Sequence, residues 1–434
     1  MLTQPDTGKS PCCSEFILRY LPVLACLLGL LPTLAQADTT TVYRDARDKI
    51  VQVRILDAGS GTRTAYGSGF AVDAKGDIVT NFHVVADLVD KPGQFVIETL
   101  DPAGQKQSAT LLAFDAVNDL ALLHIPVAPK SFVEMAKKPT EQGARLYSLG
   151  LPMDQGFTIS EGTYNGLVPD ALTPRIHFTG PVNPGVSGGP AIDQQGQLVG
   201  VNVSTMGNSI GHLVPAAQVA ALLASAGSKP LTASQSASML GNQLLRHQQD
   251  FIGKVLAAPW PSVKLGSYAA PGQIAPWMKC WANSEHVPTN LYGTTSYVCY
   301  PGTNEIFVSE RLRSGTVTVE HSYVTADKLG RQRFAWLMSQ QTQGSGGGFG
   351  GSREDAGNFQ CQDGFIRQGR LTLNTTLCVR ALRKLPGLFD AALESVSIGG
   401  PGSGLISQLK IRGASYDNVL RLSQKFVEQI LWKP

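Results

Sequence analysis

The stretch Asn183-Pro184-Gly185-Val186-Ser187-Gly188-Gly189-Pro190 sets a serine with glycine two residues before it and two residues after it. A serine hydroxyl is a poor nucleophile until a base takes its proton, and the tetrahedral oxyanion that follows needs donors aimed at it. Backbone N–H groups supply such donors where the chain comes close to a substrate, which glycine permits and a Cβ often obstructs. The stretch nominates Ser187 as a nucleophile and the N–H groups of Gly185 and Ser187 as an oxyanion hole. Taken alone it also reads as a glycine-rich turn with an incidental serine, so the remainder of the chain decides.

A serine nucleophile needs a histidine base, and the histidine needs a carboxylate to fix its tautomer. Of seven histidines, His83 sits in Thr80-Asn81-Phe82-His83-Val84-Val85, directly after a strand-like run preceded by Gly67-Ser68-Gly69-Phe70. A histidine beside apolar residues is more often a satisfied core residue. The strand-end position next to Asn81 favours a site. The carboxylate candidate is Asp119, which opens the apolar run Leu120-Ala121-Leu122-Leu123; Asp115 competes from turn-like surroundings. The order His83, Asp119, Ser187 is that of chymotrypsin-type enzymes.

The surroundings are those of a β protein. From Val42 to about Leu223, short runs such as Ile50–Leu56, Gly69–Val72, Asp77–Thr80, Phe95–Leu100 and Leu120–Ile125 alternate with glycine and proline. Turn signals at such intervals indicate an all-β barrel or sandwich. A short helix, Ala216–Leu223, closes the segment.

In this order and spacing, Gly67–Phe70, Thr80–Val85, Asp119–Leu123 and Asn183–Pro190 resemble the signature of trypsin-like serine proteases of the HtrA (Deg) type. Tyr147–Pro152, Leu198–Asn202 and Ile210–Pro215 resemble further strands of that domain, and the likeness covers roughly residues 42–225. It implies a mainly β architecture, a chymotrypsin-like pair of six-stranded antiparallel barrels with the site in the cleft between them. His83 and Asp119 would come from the first barrel and Ser187 from the second. His83 would act as general base and then general acid, Asp119 as its orienter. Asn202, Val203 and Ser204 would line the edge strand that pairs with substrate backbone and walls the primary pocket. No acidic residue stands in that stretch, which points to small or medium apolar side chains before the cleaved bond.

The chain departs from the pattern in three places. Val186 stands where HtrA relatives usually carry Asn and digestive relatives Asp, which argues against activation by a cleaved N-terminus. A β-branched residue there is stiff, and the Gly185–Val186 peptide is expected to flip between an oxyanion-competent and a collapsed arrangement. No PDZ-like pattern follows the protease segment. The second half shows no such resemblance.

With 434 residues the chain has room for two or three domains. Its 36 Lys and Arg nearly balance 33 Asp and Glu, and no basic run is interleaved with aromatics, which argues against a nucleic-acid partner. Lys9 and Arg19 precede the apolar run Leu21–Leu31, and Ala35-Gln36-Ala37 offers a small-x-small cleavage site. Residues 1–37 read as a signal peptide of a periplasmic or secreted protein, with the mature start near Asp38. The alternative is an uncleaved anchor, the one circumstance that would bring membrane association; Cys26 fits poorly as a lipid site.

Beyond the leader four cysteines remain, Cys280, Cys299, Cys361 and Cys378, an even number that points to disulfides in an exported chain. Proximity favours Cys280 with Cys299 and Cys361 with Cys378 among three connectivities. No CxxC pair is present, and neither metal nor cofactor is expected.

The organisation is therefore a protease segment over 38–225, a Ser/Ala/Gly/Lys-rich linker over 226–240 and a smaller α+β disulfide-containing domain over 241–434. That domain is expected to open with a helix over Gly241–Ala257. Strand-like runs follow at Ser296–Val298, Glu305–Val308, Thr316–Val319, Thr376–Arg380 and Leu393–Ile398, with a glycine-rich loop at Gly344–Ser352 and a closing amphipathic helix from Asn418 to Trp432.

Two functions compete. The first is an exported serine endopeptidase that cleaves protein or peptide substrates through the triad and an acyl-enzyme. The second is a catalytically silent protease-fold binding or scaffold protein acting through its C-terminal domain. A lipase or esterase is disfavoured, because that fold places its serine before its acid and histidine, between a strand and a helix.

Overall fold

The computed structural model describes residues 39–433, apart from 128, 153–154, 206, 208–209, 286–288, 303–304, 343–347 and 401. The leader, its cleavage site and its three cysteines lie outside the described residues, as does the first part of the glycine-rich loop.

A short helix α1 (Thr39–Ala46) leads into β1 (Ile50–Asp57), β2 (Arg63–Ala71) and β3 (Asp77–Thr80). After α2 (Phe82–Asp90) come β4 (Phe95–Leu100), β5 (Lys106–Asp115) and β6 (Leu120–His124). These six strands close a barrel in the order β1-β2-β3-β6-β5-β4. A second closed barrel, β10-β11-β12-β9-β8-β7, follows. Its strands are β7 (Arg145–Gly150), β8 (Thr158–Leu167), β9 (Ile176–Phe178), β10 (Pro190–Ile192), β11 (Leu198–Thr205) and β12 (Gly211–Pro215), with α3 (Ala216–Ser225) behind them.

Successive side chains of a strand point to opposite faces, and here both faces are used. In β6, Ala121 and Leu123 pack inside the first barrel, while Leu120 and Leu122 face a seam shared with Tyr147, Leu149 and Leu198 of the second. This explains why the run Leu120–Leu123 is apolar without alternation: it is buried on both sides, at 1% exposure or less throughout.

The expected linker is half helix. α4 (Ala233–Ala257) begins inside it, because Thr232 and Gln235 form a capping box. The Gln235 N–H donates to Thr232 Oγ1, and the Thr232 N–H donates to Gln235 Oε1. Of the small polar residues that read as a linker, Ser234, Gln235 and Ser238 face solvent in the first two turns, whereas Ser236 is buried. Leu240 and Leu244 of the same helix are buried in the core of the first barrel, and Gln243 clasps that barrel through the Ala116 N–H and the Phe114 carbonyl.

The C-terminal half continues with β13 (Ser262–Leu265), β14 (Tyr268–Pro271), β15 (Lys279–Glu285), β16 (Gly293–Tyr300), β17 (Ile306–Ser309) and β18 (Leu312–Ser314). After β19 (Thr316–Thr325), α5 (Arg331–Gln341) leads to β20 (Gln360–Gln368), β21 (Leu371–Ala381), β22 (Phe389–Ile398) and β23 (Ser403–Ala414). The chain closes with α6 (Tyr416–Glu428) and β24 (Leu431–Trp432). An antiparallel seven-stranded sheet, β15-β16-β19-β23-β22-β21-β20, is the frame.

Period two again divides this sheet. Val317, Val319, Leu405, Leu409 and Ile411 pack under α4 and α6, whereas Val324 and Ile406 pack under α5 on the other face. The cysteine pairs nearest in sequence are the ones bonded, Cys280–Cys299 and Cys361–Cys378. Each joins directly opposed residues of an outermost strand pair, one at either edge of the sheet. Within the expected glycine-rich loop, the described part is tethered, with the Gly348 and Gly350 carbonyls accepting from Arg412 and Arg380.

Candidate active site

Asp119 organises the first-barrel side of the cleft. Its carboxylate accepts from the His83 backbone N–H at 2.8 Å through Oδ1 and meets His83 Nδ1 at 2.7 Å through Oδ2. The first contact supplies what α2 otherwise lacks, since Asn81 at its N-cap makes no side-chain capping bond. One carboxylate thus fixes both the backbone and the imidazole of the helix's second residue. Asn81 is spent elsewhere, its Nδ2 donating to the Asp119 carbonyl at 2.7 Å.

Asp119 adopts φ of +64°, a left-handed backbone that a non-glycine residue rarely takes. Such strain persists where surroundings over-determine it, and the two bonds to His83 with the one from Asn81 do so. Asp115, the competing carboxylate, is occupied with the Asn118 N–H and side-chain amide in its own turn. Burial pulls the His83 pKa down, but the Asp119 charge and hydrogen bond outweigh it and leave it above the ordinary histidine value.

Ser187 lies between β9 and β10, on a loop strapped to the first barrel by Ser68. The Ser68 N–H donates to the Ser187 carbonyl at 2.8 Å, and its Oγ donates to the Gly185 carbonyl at 2.7 Å. The same Oγ accepts from the Leu151 N–H at 2.8 Å, so Ser68, fully buried, is saturated. Asn183 to Val186 turn tightly, with the Val186 N–H donating to the Asn183 carbonyl and Gly185 at φ of +92°. Gly188 is at φ of +84°, where a Cβ would stand 2.2 Å from the Ser68 carbonyl oxygen. Among the described residues, the Gly185 and Ser187 N–H groups donate to no acceptor.

The Gly185–Val186 peptide, expected to flip, is held on both sides, its carbonyl by Ser68 and its N–H by Asn183. Val186 itself is 4% exposed and packs with Leu146, Phe178, Val199 and Leu213 in the core of the second barrel. A polar residue there would need partners that this apolar pocket does not offer.

The structure does not bring every named residue to the cleft surface. Asn202 is fully buried behind the nucleophile loop. Its side chain bonds Ser148 Oγ and the Leu149 and Val186 carbonyls, and its backbone pairs with Gly188 and Gly189. Val203 and Ser204, half-buried, follow at a register shift where β11 pairs β12. Among the described residues no hydrogen bond joins Ser187 Oγ to His83.

Two contributors escaped sequence reasoning. Ser68 was visible only as a motif letter. Phe307, from the C-terminal half, stands with its ring centroid 6.0 Å from that of His83, and nothing in the sequence ties it to the site.

Comparison with known proteins bears on the first half of the chain. Residues 67–201 match the trypsin-like peptidase domain family. Among relatives, the probable periplasmic serine endoprotease DegP-like of Brucella suis biovar 1 (strain 1330) is 33% identical over 157 residues, 34% of this chain and 29% of the relative. Serine protease HTRA2, mitochondrial, of Bos taurus is 28% identical over 210 residues, 44% of each. Among solved structures, the active form of a protease from M. tuberculosis is 25% identical, covering 46% of this chain and 92% of that one, with a TM-score of 0.40. The chain spans less than half the length of these two curated relatives. It carries a trypsin-like serine protease domain of the HtrA type.

Proposed function

We propose that the chain is an exported serine endopeptidase that cleaves protein substrates. The observation that carries this reading is the double grip of Asp119 on His83. A carboxylate on Nδ1 holds the tautomer whose free Nε2 can take a proton, and stabilises the imidazolium that results. His83 then serves as base toward Ser187 Oγ and as acid toward the leaving amine. Attack forms the Ser187 ester, and water, activated by the same imidazole, hydrolyses it. The unengaged N–H groups of Gly185 and Ser187 are the donors for the oxyanion. Asn202 shapes this loop from behind, and Val203 and Ser204 are the edge available to substrate backbone.

Export is supported by the two disulfides and by the periplasmic relative. No helix among the described residues is long and apolar enough to cross a membrane.

The test is fluorophosphonate labelling of the mature chain, with Ser187→Ala as control, alongside digestion of casein. Labelling confined to Ser187, with cleavage, is the expected result; no labelling under any condition sinks the proposal. One observation favours a second reading, a silent protease fold that binds a partner through the C-terminal half: Ser187 and His83 share no hydrogen bond. Catalytic bonds are often long without substrate, so labelling decides between the two. If Ser187→Ala abolished the chain's cellular role, the binding reading would fail.

A further inference from the structure

The hairpin of β17 and β18 is a two-stranded sheet of its own, separate from the seven-stranded frame. Its residues divide by period two. Ile306, Val308 and Leu312, each at most 4% exposed, join the hydrophobic core of the first barrel. Phe307, opposite Arg313 in the hairpin, packs against the margin of that core and stays half-buried beside His83. The Arg313 guanidinium lies over the Phe307 ring, 4.1 Å from its centroid, and donates to the Ser309 and Leu312 carbonyls. A ring covered by a cation that is itself anchored to the hairpin backbone has little rotamer freedom. Such a surface is preformed.

The site's geometry fixes what that surface meets. Nδ1 of His83 is taken by Asp119, so Nε2 is the nitrogen that exchanges a proton with substrate. A general base works within about 3 Å of the atom it serves. The residues flanking the cleaved bond therefore lie within one side-chain length of the imidazole, and so of Phe307. We propose, on the reading of His83, Asp119 and Ser187 as a hydrolytic triad, that Phe307 is a specificity-determining residue. It packs against an apolar side chain next to the scissile bond, and Arg313 is the positioning residue for its ring. An apolar occupant follows from the aromatic surface and from a guanidinium already committed to that ring and two carbonyls. A segment outside the two barrels thus sets part of the cleavage preference.

The experiment uses the full mature chain and its Phe307→Ala, Phe307→Leu and Arg313→Ala variants. Cleavage sites in unfolded casein are mapped by mass spectrometry, and kcat and KM are measured on matched peptides with an apolar or a polar residue at the preferred flank. Fluorophosphonate labelling reads the triad without any peptide side chain. In Phe307→Ala, kcat/KM for the apolar peptide should fall at least tenfold, mostly through KM, and at least fivefold more than the labelling rate falls. The preference at that flank should flatten. Phe307→Leu, which keeps an apolar surface, should retain part of it, and Arg313→Ala should broaden the same position. An unchanged cleavage profile in Phe307→Ala overturns the proposal. So does a parallel loss of labelling and cleavage in both Phe307 variants at unchanged melting temperature, since the hairpin would then support the triad instead of the substrate. A wild-type chain that is never labelled is a separate result, and it overturns the triad reading itself.

Discussion

Replacing Ser68 by alanine isolates the strap between the first barrel and the nucleophile loop. The side chain is fully buried, donates to the Gly185 carbonyl and accepts from the Leu151 N–H. Alanine fits the space but leaves a buried carbonyl and a buried N–H without partners, at about 1–3 kcal/mol each. The expected loss is roughly 2–6 kcal/mol, or about 4–12 °C in melting temperature at about 2 °C per kcal/mol for a protein of this size. The kinetic effect is more diagnostic. Without Ser68 Oγ, the Gly185–Val186 peptide keeps only the Val186 bond to Asn183, and the adjoining Pro184–Gly185 peptide, which carries the Gly185 N–H, loses the anchor beside it. Losing one oxyanion donor slows acyl transfer by about 100- to 1000-fold, so partial misdirection should slow fluorophosphonate labelling by roughly 10- to 100-fold, measured well below the melting range. Thr80→Val is the control. It removes another fully buried bond to the same residue, from Thr80 Oγ1 to the Ser68 carbonyl at 2.7 Å, without touching Gly185. It should lower stability with little change in labelling. Wild-type labelling in Ser68→Ala, or an equal loss in Thr80→Val, refutes the reasoning.

Because the Asp119 pair raises the His83 pKa above 6.5 and reaction needs the neutral ring, labelling should rise with pH through a limb above 6.5; a limb at or below 6.5 contradicts this. The stabilisation from that pair has the opposite sense, full below pH 6.5 and lost as pH rises through the folded value. Asp119→Asn should cut the acylation rate by about 10⁴, through the wrong tautomer. His321, fully buried between Ser407 Oγ and the Pro271 carbonyl, is pushed down from 6.5 to about 4 by burial. It is neutral when folded, so stability should fall as pH drops from 6.5 toward 4, by on the order of 3 kcal/mol. Urea melts across that range check it, and a flat midpoint in wild type refutes it. Arg380→Ala strands the carboxylate of Asp390, whose side chain is 1% exposed. It should cost about 3–5 kcal/mol, with partial recovery in the Arg380→Ala, Asp390→Asn double variant; a melting temperature equal to wild type would contradict it.

What the sequence disclosed depended on how local each signal was. Glycines that admit close backbone approach, a serine among them and an apolar run after Asp119 are readable from residue type and spacing. Both barrels followed from these. The role of Asp119 as a backbone acceptor for His83 was not readable, since its left-handed φ appears only once Asn81 and His83 converge on it. Val186 looked like a source of conformational switching, whereas its pocket in the second barrel makes it a core residue. Asn202 looked like a pocket wall because an edge strand exposes alternate residues, but its side chain falls on the buried face, bonded to Ser148 Oγ and the Leu149 and Val186 carbonyls. The linker reading failed because the small and polar residues Ala233 to Ser238 open a helix behind a capping box. The role of Phe307 depends on tertiary contact between segments far apart in the chain, which no window of sequence contains.

The burial of Leu240, Leu244, Ile306 and Leu312 in the first barrel also orders events in time. A chain leaves the ribosome from its N-terminus. The residues that complete this core emerge only after the whole peptidase segment, and α6, which packs on the later sheet, emerges near the end. The first barrel therefore spends its synthesis with an open apolar flank. That flank closes only when the distal half docks against it.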